Sequence, residues 1–377
     1  MKTENRNNVG PMSKANNAKQ RIFIATQTFP PRIGGMEYTM HGLAGNFAHS
    51  GFDVTVLPNR SYEEPEKFRV INIPLIKPLR IIVKRLILKS MLTNDDIVVC
   101  DSWKSANVIT RRFKGRLIVL AHGQEYLKDR RHKKRIQAVL QRATLVVANS
   151  EFTANLVKDR YQCTAKKVKV IPPTYMLNDV APHEKPEKNN ADVRLISICR
   201  LDKRKGLREA VQAMSEVTDL NVDWQWDIIG NGKEEKILKK MVKDLQLEKN
   251  IKFIHKLEDA EKPAILKQAD LFVMPSYQMT DGVEGFGISY IEAAQYGVPA
   301  IAGNSGGSVS AVIDGETGWC VDAHDGNQLR NALTAAINSQ DERMRRGAAA
   351  YSRFVANFSG PKVSKTFIEN MIKAGHA

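Results

Sequence analysis

Short runs of β-branched and aliphatic residues recur along the chain, separated by longer amphipathic stretches. Residues 21–26 (RIFIAT), 53–57 (DVTVL), 96–100 (DIVVC), 116–120 (RLIVL), 144–148 (TLVVA) and 167–171 (KVKVI) form one series. Most are near-continuous apolar runs, as in strands buried on both faces; a half-exposed strand alternates. A second series follows at 194–199, 226–229, 251–254, 271–274, 299–302 and 319–321. Strands alternating with helices predict an α/β architecture of parallel, doubly wound sheets.

Between the series lies 181–192 (APHEKPEKNNAD), which is polar, Pro-containing and without apolar periodicity. It reads as a linker. The pattern therefore predicts a floppy polar tail over 1–20, an N-terminal domain over 21–185, a C-terminal domain over 192–355 and a closing segment over 356–377. Two such domains leave a cleft where the carboxyl ends of their sheets face each other, and ligands bind at such edges.

Length agrees, since 377 residues at roughly 150 per domain predict two to three domains. Hydrophobic residues at 42% and charged residues at 26% exclude a disordered or fibrous chain. Cys100, Cys163, Cys199 and Cys320 form no CxxC pair and read as buried thiols of a reducing compartment. No apolar run reaches the ~18 residues of a membrane span. The tail has no hydrophobic segment of the kind a secretory signal needs. Charge adds more. The formal net charge is +16, yet the residues up to Asn190 hold 33 Lys and Arg against 16 Asp and Glu, while the rest hold 24 against 25. The excess lies on one side, which points the first half toward an anionic partner.

The segment 284–292 (EGFGISYIE) places two glutamates around Gly-Phe-Gly, after a strand and at the start of a helix. Glycines admit close backbone approach, and a helix start offers free amides to a phosphate. Glu292 and Glu284 could accept hydrogen bonds from hydroxyls of one ligand. The same residues also read as a loop-to-helix junction with an acidic turn. In 200–206 (RLDKRKG), Arg200 and Lys205 stand at a strand's carboxyl end and could clamp a diphosphate, or could belong to a solvated basic turn. No DxD pair, HExxH or P-loop pattern occurs, so no metal is expected. Gly34 and Gly35 close 29–35 (FPPRIGG), and His122 follows the strand RLIVLA; both sit where a substrate would, and both fit ordinary structural roles. Gly230-Asn231-Gly232 is an incomplete GxGxxG and reads as a turn near a nucleotide base.

Two basic stretches stand out. Residues 75–92 place Lys77, Arg80, Lys84 and Arg85 among Ile and Leu at helical spacing; 128–135 hold Lys128, Arg130, Arg131, Lys133, Lys134 and Arg135. An amphipathic helix with a cationic face can lie on anionic lipid; it can equally pack on its own sheet with its charges solvated. Nucleic acid is not expected, because aromatics are 7% of the chain and do not interleave with the basic runs.

Taken together, FPPRIGG, HG, RLDKRKG, IIGNG, PSY at 275–277, EGFGISYIE, GVPAIAGNSGG and DGETGW at 314–319 resemble the retaining glycosyltransferases of family 4, with the GT-B fold. The stretch VEGFGISYIEAAQYGVPAIAGNSGG is similar to bacterial lipid-linked mannosyltransferases. The resemblance implies that Glu292 binds ribose and Glu284 the donor sugar. Gly285, Phe286, Gly287 and Ile288 would line the diphosphate and sugar, with Arg200 and Lys205 neutralising the leaving diphosphate. His122 would touch the sugar, and Gly34 and Gly35 would close over the donor. It implies front-face transfer with retention, no metal and no cofactor, and GDP-mannose or a UDP-hexose as donor. The acceptor would be a lipid-linked sugar in cell-surface polysaccharide or glycolipid synthesis. The enzyme would sit in the cytoplasm, peripheral on the inner face of an anionic membrane, with 363–373 as a helix crossing back to the N-terminal domain. His255 departs from the glycine of many relatives, and Gly123 follows His122 where Asp is often seen. A nucleotide-sugar epimerase of the same fold needs no basic acceptor surface. A membrane- or polyanion-binding protein with a vestigial sugar site needs no intact Glu284, Glu292, Arg200 and Lys205.

Overall fold

A computed structural model of the chain describes residues 19–173 and 192–375, apart from 33, 64, 65, 129, 219, 256, 258 and 259. The expected tail lies almost wholly outside these residues, as does nearly all of the expected linker.

The first sheet holds β1 (Arg21–Ala25), β2 (Asp53–Leu57), β3 (Arg69–Val70), β4 (Ile97–Cys100), β5 (Arg116–Ala121), β6 (Leu145–Ala148) and β7 (Val168–Val170). The second holds β8 (Val193–Ile198), β9 (Trp224–Ile229), β10 (Ile251–Ile254), β11 (Leu271–Met274), β12 (Ala300–Gly303) and β13 (Gly318–Val321). Each run read as a strand is one, shifted by a residue or two at its ends. The short β3 was not expected.

Strand order is β3-β2-β1-β4-β5-β6-β7 in one sheet and β10-β9-β8-β11-β12-β13 in the other, and the paired strands are parallel. Each order reverses once, between β1 and β4 and between β8 and β11. Crevices open at such switch points, outside the carboxyl ends of the strands. The loops after β1, β5, β8 and β11 are those that carry FPPRIGG, His122, RLDKRKG and EGFG.

The strands bury both faces. On one face of the first sheet, the helices Lys77–Met91, Trp103–Ala106, Lys133–Arg142 and Glu151–Tyr161 share a core around Val98, Val119 and Val146. On the other, the helix Gly35–His49 meets the helix Gly360–Lys373, where Phe47 and Phe367 pack edge to face at 5.4 Å. The helix Gly360–Lys373 thus packs on the N-terminal sheet although it follows the C-terminal one. Cys100 and Cys163 are buried as expected. Cys199 and Cys320 are only partly covered, and all four are free thiols.

Candidate functional site

The two glycine-containing segments meet across the cleft. A methyl group on Gly285 would lie 2.0 Å from the carbonyl oxygen of His122, and one on Gly35 would lie 2.6 Å from Cδ1 of Ile288. At Gly285 the obstacle is backbone and only glycine permits the approach, whereas at Gly35 it is the movable end of a side chain; at both, the two halves touch at residues read as substrate-binding. Gly287 adopts φ +90° and starts the helix Ile288–Ala294, a conformation that costs glycine little. The amides of Gly285, Phe286 and Gly287 donate to no acceptor among the described residues. Unpaired backbone donors are uncommon in folded chains, and three in succession suit an anion. The Phe286 ring is buried against Phe358, 5.6 Å between centroids, so its backbone rather than its ring faces the cleft.

Glu284 is the centre of charge. Its Oε2 accepts from Lys205 Nζ at 2.5 Å and from Arg204 at 2.9 Å. Burial alone would raise its pKa, but the two cations more than reverse this and hold it at about 2. Arg204 was passed over in the sequence, where a KRKG turn reads as solvated charge. Its side chain is mostly covered, and it lies where Gly282 approaches Gln124 of the other half. Gly206, at φ +73°, brings the loop against the carbonyl of Pro275. Arg200 stands apart from this cluster: it is exposed and bonds Asp202 at 2.6 Å.

Glu292 is buried, and Lys262 Nζ lies 3.5 Å from its carboxylate. The same ammonium sits 5.6 Å above the ring of Tyr38, on the helix Gly35–His49. Gly34 precedes that helix with extended backbone. His122 is fixed on several sides. Its amide donates to Glu125 at 2.9 Å, its carbonyl accepts from Asn149, and Nε2 lies 2.9 Å from the Asp101 carbonyl. A carbonyl only accepts, so Nε2 carries a hydrogen and Nδ1 holds a lone pair in the neutral ring. His255 is mostly exposed, 3.5 Å from Glu235.

The two basic stretches lie on one face of the N-terminal sheet. Arg131, Lys133, Lys134 and Arg135 are exposed; nothing is described of the side chains of Lys128 and Arg130. On the helix Lys77–Met91, Lys77 and Arg85 are exposed and Arg80 is half-covered, bonding Leu75. Lys84 corrects the sequence reading. It is not on the outer face but only 4% exposed, with its ammonium on protein oxygens. The outward face instead presents Ile76, Leu79, Ile81, Ile82 and Leu86. Helical spacing groups residues on a face but does not say which face meets the sheet.

Among the described residues, no helix is long and apolar enough to cross a membrane. The chain matches the family described as Glycosyl transferases group 1 over residues 181–353, and Glycosyltransferase Family 4 over residues 33–175. It is 28% identical over 355 residues to a GDP-mannose-dependent alpha-(1-6)-phosphatidylinositol monomannoside mannosyltransferase of Mycolicibacterium smegmatis, covering 87% of this chain and 91% of that protein. It is 36% identical over 162 residues, 42% of either chain, to the corresponding monoacylated-substrate enzyme of Corynebacterium glutamicum. The structure of Anabaena HepE in complex with UDP and glucose superposes with a TM-score of 0.76 at 18% identity, covering 94% of this chain and 100% of HepE.

Proposed function

Because the chain belongs to the family 4, group 1 glycosyltransferases and has their GT-B fold of two facing Rossmann-like domains, we propose that it transfers mannose from a nucleotide sugar to a lipid-linked or glycolipid acceptor, with retention and without a metal ion. The observation that carries this reading is the Glu284–Lys205–Arg204 cluster beside the unpaired amides of 285–287, directly across from His122. Fixed cations and amides aimed at a departing diphosphate stabilise the charge that develops as the sugar leaves.

In this reading the acceptor hydroxyl approaches the anomeric carbon on the face from which the diphosphate departs. The carbon–phosphate oxygen bond breaks, the new glycosidic bond forms, and the departing phosphate oxygen takes the hydroxyl proton. Configuration is kept without a glycosidase-type carboxylate nucleophile. Lys205, assisted by Arg204, balances the phosphate charge; Arg200 joins them only by leaving Asp202. Glu284 holds hydroxyls of the donor sugar, Glu292 holds the ribose, and His122 faces the sugar near the reacting centre.

Mannose as the transferred sugar is supported by the relatives named as GDP-mannose-dependent; a UDP-hexose is the alternative donor. The acceptor waits at the inner face of a membrane, in cell-surface polysaccharide or glycolipid synthesis. Support comes from the +17 formal charge of the residues up to Asn190 and from the exposed apolar face of the helix Lys77–Met91, flanked by Lys77, Arg85 and Lys89.

The test is a thermal-shift titration with GDP, UDP and ADP on the wild type and Glu292→Ala. A ligand bound only by the folded state stabilises it by about 2.7 kcal/mol at a hundredfold excess over Kd. A shift with one nucleotide that is lost in the variant supports both the donor class and the ribose site. No shift with any of the three refutes the donor site as drawn.

A further inference from the structure

The helix Lys77–Met91 carries apolar side chains on both sides. Leu88 is buried and Val83, Ile87 and Met91 pack on the core, while Leu79, Ile81, Ile82 and Leu86 are exposed; its one buried charged residue, Lys84, shares the sheet-facing side with Leu88. A buried ammonium is expensive unless each proton finds an acceptor, and here each does: Leu57 O at 2.8 Å, Asn59 Oδ1 at 2.9 Å and Thr26 O at 3.2 Å. Leu57 ends β2 and Thr26 follows β1, so one point of the helix is fixed to the carboxyl edge that borders the cleft. Burial draws the Lys84 pKa down to about 8, against the pull of Asp101, which leaves it an ammonium at neutral pH.

The connection continues inward. The Thr26 hydroxyl donates to Asp101 Oδ2 at 2.8 Å, and the same oxygen accepts the amides of Gln27 and Thr28 at 2.6 and 2.9 Å. The Asp101 carbonyl accepts a hydrogen bond from His122 Nε2 at 2.9 Å. Helix, β2, β1, β4 and β5 are thus joined at their carboxyl ends through Lys84, Thr26, Asp101 and His122. An apolar side chain of similar volume would fill the Lys84 site without this chain of bonds.

We propose that Lys84 is a positioning residue that transmits the seating of this helix on an anionic bilayer to the loop after β1 and to the His122 side of the cleft. The inference rests on the reading that this face meets lipid. A two-state element biased at one end by lipid would couple both sites through one connected network.

The experiment uses the full chain with vesicles of phosphatidylglycerol and phosphatidylcholine, read by sedimentation and by hydrogen exchange. Wild type should sediment with anionic vesicles, and peptides covering 21–32 and 97–106 should then exchange at least fivefold more slowly. Lys84→Met should sediment within twofold of wild type and show protection confined to 75–92. Thr26→Val, which keeps the Thr26 carbonyl that Lys84 holds but removes the hydroxyl shared by Asp101 and Thr28, should lose the response at 97–106, and it decides the matter if Lys84→Met does not fold. If wild type does not sediment, the membrane reading falls and this inference with it. If wild type and variants bind and respond alike, the membrane reading stands and the role of Lys84 is overturned.

Discussion

Replacing Glu284 by Gln removes one negative charge and leaves Lys205 and Arg204 facing each other with little water between them. The carboxylate's pKa of about 2 lies some 2.5 units below an ordinary glutamate. At about 1.4 kcal/mol per unit this corresponds to roughly 3 kcal/mol of stability. The folded-state pKa is depressed, so this contribution is fully present above the ordinary glutamate pKa and is lost as pH falls from about 5 toward 2. For a domain of 150–250 residues each kcal/mol moves the midpoint by about 2–4 °C, so Glu284→Gln should melt about 6–12 °C below wild type at pH 7. The gap should narrow steadily between pH 5 and 3. Calorimetry or fluorimetry at pH 7, 5, 4 and 3.5 measures it. A second arm separates the ion pair from ligand binding: GDP or UDP at 1 mM should raise the midpoint more in the variant, because the diphosphate replaces the missing anion. A gap below 2 °C at pH 7, or one that does not change with pH, refutes the electrostatic account. Equal nucleotide shifts would mean that the two cations do not face the ligand.

Lys205→Ala should lower kcat by about 10²–10³, the usual loss when one group stabilising a leaving charge is removed, and should also lower the midpoint because Glu284 then keeps only Arg204; steady-state transfer kinetics below that midpoint check this. Gly285→Ala places its methyl group against the His122 carbonyl, so the halves should fail to close: kcat should fall at least tenfold while the stability of the isolated C-terminal transition changes little. EDTA should leave transfer unchanged, and activity lost on chelation and restored by Mg²⁺ or Mn²⁺ would refute the metal-free reading. Neutralising Arg131, Lys133, Lys134 and Arg135 should weaken vesicle sedimentation mainly at low salt, where screening is least; Leu79→Gln with Leu86→Gln should weaken it at any salt.

The strands were legible because a buried parallel strand is written in adjacent residues. β3 was not, since Arg69–Val70 is two residues long and pairs only at the sheet edge. The positions of Glu284, Lys205 and Gly285 were legible as a motif, but their partners were not. Arg204 is drawn in by Glu284, eighty positions away, and nothing in KRKG distinguishes it from Lys203. The seam between Gly285 and His122 arises only when two sheets meet. Lys84 was misread because it shares the inward face with Leu88, and the carbonyls at the ends of β1 and β2 that satisfy its buried ammonium are brought to it only by the fold.

The helix Gly360–Lys373 has a consequence for the order in which the protein can be made. The N-terminal sheet leaves the ribosome first, yet Val363, Phe367 and Met371 complete its core beside Met40, Leu43 and Phe47. At 5–20 residues per second, the roughly two hundred residues between the first sheet and this helix take on the order of 10–40 s. Throughout that interval the groove on the helix Gly35–His49 is uncovered, while the C-terminal sheet, whose core draws on neither Phe47 nor Phe367, can close as soon as its own strands are out. The half translated first is therefore the half finished last, and a nascent chain stalled before Gly360 would present an apolar groove to chaperones.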